Sequence, residues 1–527
     1  MTGGKKIPHF YWRRLCQIFC FVLFSFLFIK TDYSGADEIA YAVNLLFRID
    51  PLLAATASLA ARTFITLMLP ALFTLLFTFV LGRFFCGWVC PLGALLDGGH
   101  RLVPPVGGKD GVYRNTKYYL LAFLLVAAWF GLPAAGYLDP FSILVRGLTL
   151  AVYPAFNALN TTFFTFTYQH GPDWLNSMTE PVYAFLKYTI LPFDQKYYDL
   201  ALLSLFILIS VILLERVERR FFCRNLCPLG AMLAVTARFS LLRGIGGSKC
   251  GKCRNCREVC RMGAIDEERK ISRSDCNLCL DCVAVCPGRK ISFAFAGRSE
   301  ARTPFNLSRR ALVSAIGAGV ILPFFLKGRS MAVNPDPFLI RPPGALPEDE
   351  FLGRCVRCGE CMKVCIGNGL QPTFFEAGIE GLFSPKLRGR TGYCEFNCTL
   401  CGQVCPTGAI RKLALQEKQR TRIGHAWFDK NRCLPYASGI PCIVCEEHCP
   451  TPEKAIKFRE AVVLDDNGTE VVLKQPYLVD SLCIGCGICE TKCPLPGASA
   501  VRVTSAGESR DPDSIIPTTG GTGYLGG

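Results

Sequence analysis

Two cysteine runs stand in tandem, Cys250-x2-Cys253-x2-Cys256-x3-Cys260 and Cys276-x2-Cys279-x2-Cys282-x3-Cys286-Pro287. Three cysteines so closely spaced wrap one face of an iron–sulfur cubane, and the fourth, carried off by the turn after them, reaches the neighbouring cubane. The spacing therefore predicts one 4Fe-4S cluster on Cys250, Cys253, Cys256 and Cys286, and a second on Cys276, Cys279, Cys282 and Cys260. Thiolates also hold zinc, but zinc sites use two C-x2-C pairs per metal and no distant fourth ligand from another run. One departure stands out: Arg261 follows Cys260 where such runs usually carry proline.

Four more runs lie toward the C-terminus: Cys355, Cys358, Cys361, Cys365; Cys394, Cys398, Cys401, Cys405; Cys433, Cys442, Cys445, Cys449; and Cys483, Cys486, Cys489, Cys493. They predict four more 4Fe-4S clusters. A different pattern repeats in the N-terminal half. Arg83-Phe-Phe-Cys86-x3-Cys90-Pro-Leu-Gly-Ala-Leu-Leu96 returns as Arg220-Phe-Phe-Cys223-x3-Cys227-Pro-Leu-Gly-Ala-Met-Leu233. Cys86, Cys90, Cys223 and Cys227, facing one another across a pseudo-twofold, could hold an extra iron or iron–sulfur centre or act as redox-active dithiols. Alternatively C-x3-C-P shapes a turn beneath each helix, with Pro91 and Pro228 stopping its continuation. Cys16 and Cys20 read as ordinary apolar helix residues.

These residues must be positioned by more than one core in a chain of 527 residues, half of them hydrophobic. Mean hydropathy is +0.30, as expected of a membrane protein with soluble appendages. The net charge of +16 is not accompanied by a nucleic-acid motif, so no nucleic-acid partner is predicted. Lysines and arginines on cytoplasmic loops, and six clusters at about −2 each, account for it.

The fold class predicted is a multidomain membrane protein: an α-helical membrane domain, an α+β two-cluster ferredoxin domain and a second α+β polyferredoxin domain. Apolar runs at residues 15–29, 63–82, 118–137 and 200–214 predict four crossings, entered from the cytoplasm after Lys5, Lys6, Arg13 and Arg14. A cleavable signal peptide competes for the first. Residues 147–168, with Pro154, Asn157 and Asn160, read as segments on the outer interface. Arg309-Arg310 before the apolar run 311–326 is similar to a twin-arginine export signal and supplies a fifth helix, with Ser330-Met-Ala332 as a candidate cleavage site. The predicted divisions are 1–245, 246–298, 299–333, a proline-rich linker 334–350, a four-cluster domain 351–503 and a disordered tail 504–527. A hairpin is predicted around Asp466-Asn467-Gly468.

Residues 1 to about 295 resemble NapH-type membrane ferredoxins, related to NosR and CcoG-type proteins. Residues 306 to about 503 resemble the NapG or MauM ferredoxins exported beside them. The resemblance implies nested ligand sets: Cys355, Cys358, Cys361 with Cys493; Cys483, Cys486, Cys489 with Cys365; Cys394, Cys398, Cys401 with Cys449; and Cys433, Cys442, Cys445 with Cys405. It also implies a bacterial inner-membrane protein, its first ferredoxin cytoplasmic and its last domain periplasmic. Such a protein would oxidise membrane menaquinol and pass electrons to a periplasmic reductase or multihaem cytochrome. A maturation or regulatory factor using the C-x3-C-P thiols is the alternative. No CxxCH, bis-histidine pair, flavinylation motif or Rossmann fingerprint is present, so neither haem nor flavin is expected. Asp97 and His100 are candidate proton acceptors from quinol.

Overall fold

An uncharged run inside a bilayer must pair every backbone amide within itself, which only a helix or a closed barrel achieves. In the computed structural model three helices are long and apolar enough to cross a membrane: Tyr11–Lys30, Pro140–His170 and Arg309–Leu326. The structure describes residues 8–100, 103–105, 113–246, 253–288, 290–295, 307–332, 336–464 and 470–510. Cys250, Asp466-Asn467-Gly468 and residues 511–527 lie outside them.

Of the four expected spans only the first, within Tyr11–Lys30, is long and apolar enough to cross; the other three form shorter helices. The run 63–82 breaks into a 3-10 turn, Thr66–Met68, and the helix Ala71–Leu81, with Pro70 between them. The run 118–137 gives Thr116–Trp129 and the short helix Ala135–Leu138. The run 200–214 gives Ala201–Leu213.

Residues 147–168, expected as interfacial segments, are instead part of one long helix joined through a π turn at Leu148–Val152. Its polar side chains bond their own backbone: Asn160 Nδ2 donates to Phe156 O at 2.7 Å and Thr167 Oγ1 to Phe163 O at 2.8 Å. Residues read as breakers are therefore satisfied within the helix. Pro154 follows directly on the π segment, the kind of irregularity at which a helix accommodates proline. The helix Asp173–Thr189 follows after two residues.

The chain groups into two compact units that cut across the predicted divisions. One comprises Met1–Lys30, Tyr41–Leu148 and Leu202–Phe324, so the first ferredoxin cassette shares a unit with the apolar helices Tyr11–Lys30 and Thr116–Trp129. Buried carboxylates begin helices here: Asp50 accepts from Leu52 N and Leu53 N, and Asp139 from Ser142 N. Each precedes a proline at the first helical position. Strands Leu242–Ile245 and Ser292–Phe295 pair antiparallel around the cassette.

The second unit comprises Thr31–Ala40, Thr149–Ala201 and Phe325–Gly527. Its longest sheet pairs Ile456–Leu464 with Glu470–Leu478, antiparallel. His425–Phe428 pairs with Val501–Thr504. The short segments are stitched onto the cysteine-rich part. Asp37 accepts from Thr399 N at 2.6 Å, Asp32 pairs with Lys363 at 2.8 Å, and Tyr198 Oη donates to Met362 O at 3.0 Å.

Two predicted irregular segments are ordered. In the predicted linker, Ile340 and Arg341 are buried, Ile340 bridges Leu387, and Arg341 pairs with Glu348. A buried guanidinium needs a carboxylate, which proline content alone did not reveal. The first residues of the predicted tail also belong to the fold: Ser505 N donates to Pro337 O at 2.8 Å and Arg510 pairs with Glu348 at 2.7 Å.

Candidate iron–sulfur sites and their junction

Within the cassette, burial pushes the Cys276 thiol up to about 12, and Cys279 and Cys260 add to that shift. Cys282 feels Cys279, Cys276 and Cys260. Cys256 feels Cys253 and Cys286. The structure thus brings together the described members of both predicted sets; Cys250 is outside the described residues. The distant fourth cysteines accept backbone hydrogen bonds, Ala264 N to Cys260 Sγ at 3.2 Å and Lys290 N to Cys286 Sγ at 3.3 Å. Donors placed on sulfur in this way suit thiolate ligands of a cluster.

In the C-terminal unit the fourth cysteines are exchanged between consecutive runs, which corrects the nested sets. Cys355, Cys358 and Cys361 line a hollow with Cys405, not Cys493. Cys433, Cys442 and Cys445 line one with Cys493, not Cys405. Cys483, Cys486 and Cys489 line a third with Cys449, not Cys365. Cys394 and Cys401 feel Cys365, as does Cys398, whose thiol burial pushes up to about 12. Each pair of neighbouring runs therefore repeats the exchange seen in the first cassette. The long gap between Cys433 and Cys442 is taken up by the helical turn Leu434–Ala437.

Backbone shape bears on whether these cysteines fit cubanes. In three runs the second and fourth residues after the first cysteine are left-handed: Leu278 and Leu280, Arg357 and Gly359, Gly485 and Gly487. Leucine and arginine adopt that region only where the surroundings impose it. One shared, strained wrap in unrelated stretches fits loops moulded around one common object, and four thiols around each hollow fit a 4Fe-4S cluster. The cysteines would supply its ligands and the cluster a one-electron redox couple.

The duplicated motif is built alike in both copies. Cys90 and Cys227 precede helices Pro91–Gly99 and Pro228–Ala237, each with proline at its first position. Pro91 and Pro228 start these helices, and the preceding helical turns Phe84–Trp88 and Phe222–Leu226 end just before them, as expected of proline. The first copy lies directly against the loop of the second cassette run. Trp88 Nε1 donates to Leu278 O at 3.0 Å and Arg83 Nη1 to Ser274 O at 3.2 Å. A Cβ on Gly87 would lie 2.1 Å from Asn277 O, so only glycine permits this approach. Cys16 Sγ faces Trp88 O at 3.9 Å from the first helix.

Asp97 is the hub beneath this contact. Arg220 reaches it at 2.8 Å, Arg261 at 2.8 Å and Arg13 at 3.8 Å. Arg261 also bonds Asp281 at 2.5 Å, and Arg13 lies 3.5 Å from the same carboxylate. Burial works to raise the pKa of Asp97, but Arg220 and Arg261 outweigh it and hold the carboxyl far below the usual range. A carboxylate held ionised in this way is a poor proton acceptor, which counts against the role expected of Asp97. Burial and the nearby Arg219 and Arg261 lower His100. Sequence reading took Arg13 as a topological charge and Arg261 as an irregularity. The signal available was the loss of the usual proline after Cys260.

Comparison with known proteins follows the same lines. Residues 63–107 and 198–246, which hold the two C-x3-C-P copies, match the 4Fe-4S binding domain family Fer4_5, and residues 248–291 match the NosR family. The methylamine utilization ferredoxin-type protein MauM of Methylorubrum extorquens is 36% identical over 212 residues, 38% of this chain and 90% of the relative. MauM of Paracoccus denitrificans is 32% identical, covering 36% and 82% respectively. The ferredoxin-type protein NapG of Haemophilus influenzae is 30% identical, covering 38% and 70%. No solved structure matches.

Proposed function

The chain belongs to the ferredoxin-type proteins that include MauM and NapG, and from that premise we propose that it is a membrane-bound electron relay that oxidises quinol and delivers electrons to a reductase or cytochrome outside the cytoplasm. The observation that carries this reading is that runs of closely spaced cysteines fall in both units of a chain with long apolar helices. Tyr11–Lys30 and Arg309–Leu326 are long and apolar enough to cross a membrane, and the second precedes the four C-terminal runs in the chain.

In this reading the chain's own residues hold clusters in fixed succession. Asp97, ionised between arginines, positions the cassette against the duplicated motif; the buried arginines supply positive charge to a site that gains electrons. The test is quinol-dependent reduction of the iron–sulfur EPR signals in membranes. Reduction by a menaquinol analogue is expected. Signals left oxidised by the analogue, with loss of metal from a respiratory enzyme when the chain is deleted, would support a maturation role instead.

A further inference from the structure

Each copy of the duplicated motif falls within a 4Fe-4S binding match, which leaves open whether each copy holds its own group or both hold one. We propose that Cys86, Cys90, Cys223 and Cys227 together bind a single four-iron cluster, shared between the copies and charge-balanced by Arg83 and Arg220. The inference rests on reading the chain as an iron–sulfur protein.

The two copies are interlocked by their arginines. Arg220 of the second copy donates to Cys86 O and Gly93 O of the first, both at 2.9 Å. Arg83 of the first reaches the second: a Cβ on Gly230 would lie 2.8 Å from its Nη2. The repeated glycine of Cys-Pro-Leu-Gly is thus the seat for the opposite arginine. The same Arg83 Nη2 lies 3.9 Å from Cys86 Sγ, and that Cβ on Gly230 would lie 3.5 Å from Cys227 Cβ, so one guanidinium stands between a cysteine of each copy.

Three alternatives fit less well. Among the described residues no three metal-binding side chains converge tightly enough for a single ion, which disfavours mononuclear iron or zinc. None of the four cysteines forms a disulfide, and two separate centres would leave each with only two protein thiolates. Charge supports the shared cubane. Arg83 and Arg220 are both fully buried. Arg83 has no carboxylate within ion-pair distance among the described residues, its polar contacts being Ser274 O and Cys86 Sγ. Asp275 stands beyond that distance and is already paired with Lys117 and Arg114, which leaves the buried Arg83 for another negative group. A cubane on four thiolates, at about −2 when oxidised, supplies it. The shared cluster would face the second cassette cluster across Trp88 and Leu278 and pass it one electron at a time, one being oxidised as the other is reduced, with no bond made or broken.

The test uses the full chain, purified and reconstituted anaerobically, with iron and acid-labile sulfide counted in the wild type, Cys86→Ser, Cys223→Ser and the double variant. Wild type should hold about four irons beyond the six ferredoxin clusters; each single variant should lose about four, and the double no more than a single. A double variant losing twice as much, or a wild type holding only the ferredoxin irons, overturns the proposal. Should the cysteine variants also shed neighbouring clusters, Arg83→Gln and Arg83→Lys decide. Glutamine should lower the midpoint potential of the extra EPR component and lysine should restore it; equal potentials in all three proteins contradict charge balance by Arg83. A chain that quinol does not reduce would leave this iron count unchanged, so the two readings fail separately.

Discussion

Arg261 Nη1 lies 2.8 Å from Asp97 Oδ1, so the residue that replaces proline after Cys260 ties a ferredoxin run to the helix that follows Cys90. The same guanidinium holds Asp281, between two ligands of the second cassette cluster. Removing it leaves two buried carboxylates short of a partner, a change that costs about 3–5 kcal/mol when a buried pair is broken. Arg261→Met should destabilise the first unit by that order in denaturant unfolding. It should also lower the midpoint potential of the cluster on Cys276, Cys279, Cys282 and Cys260, because a positive charge next to Cys260 in the chain is lost. Arg261→Lys should recover most of the potential and only part of the stability, since one ammonium cannot fork between two carboxylates.

Gly87 and Gly98 offer a matched pair. A Cβ on Gly87 would collide with Asn277 O, whereas one on Gly98 meets nothing within 4 Å. Gly87→Ala should separate the cassette from the duplicated motif and slow electron exchange between them, read by freeze-quench EPR. Gly98→Ala, within a helix, should leave exchange unchanged and stabilise by up to about 1 kcal/mol.

Acid stability should report the Asp275 pair. Burial favours the neutral form, yet Lys117 at 2.9 Å and Arg114 at 3.9 Å hold Asp275 at about 2. A folded-state value below the unfolded one of about 3.9 means this contribution is complete above about pH 5 and lost as pH falls through 2. In acid titrations followed by tryptophan fluorescence, wild type should exceed Asp275→Asn in stability above about pH 5, and the gap should shrink steadily below that and close near about pH 1. A gap that stays constant from about pH 5 down to 2 contradicts the assignment.

The exchange of fourth cysteines predicts which clusters fail together. Cys493→Ser should disturb the cluster of Cys433, Cys442 and Cys445 and spare that of Cys355, Cys358 and Cys361. Cys405→Ser should do the reverse. Potentiometric EPR titration of both variants distinguishes this from nested pairing, in which the two outcomes swap.

Much of this was legible because cysteine spacing is a local code. Three close thiols name their own cubane, and the two sets of the first cassette follow from one run meeting the next. Nested pairing failed in the C-terminal unit because the partner of a fourth cysteine is a tertiary choice, and spacing does not carry it. The crossed arginines were visible as identical residues in a repeat, but their burial was not. Asn157 and Asn160 misled for a related reason: Asn160 and Thr167 bond their own helix backbone and Asn157 donates to Gln195, which makes polar composition compatible with a long helix.

The central claim is that the thiols of both units hold iron–sulfur cubanes. Analysis of iron, acid-labile sulfide and zinc in the anaerobically purified chain tests it most directly. The six ferredoxin clusters predict at least about twenty-four irons per chain with sulfide in equal amount. Stoichiometric zinc, or iron without sulfide, would contradict it.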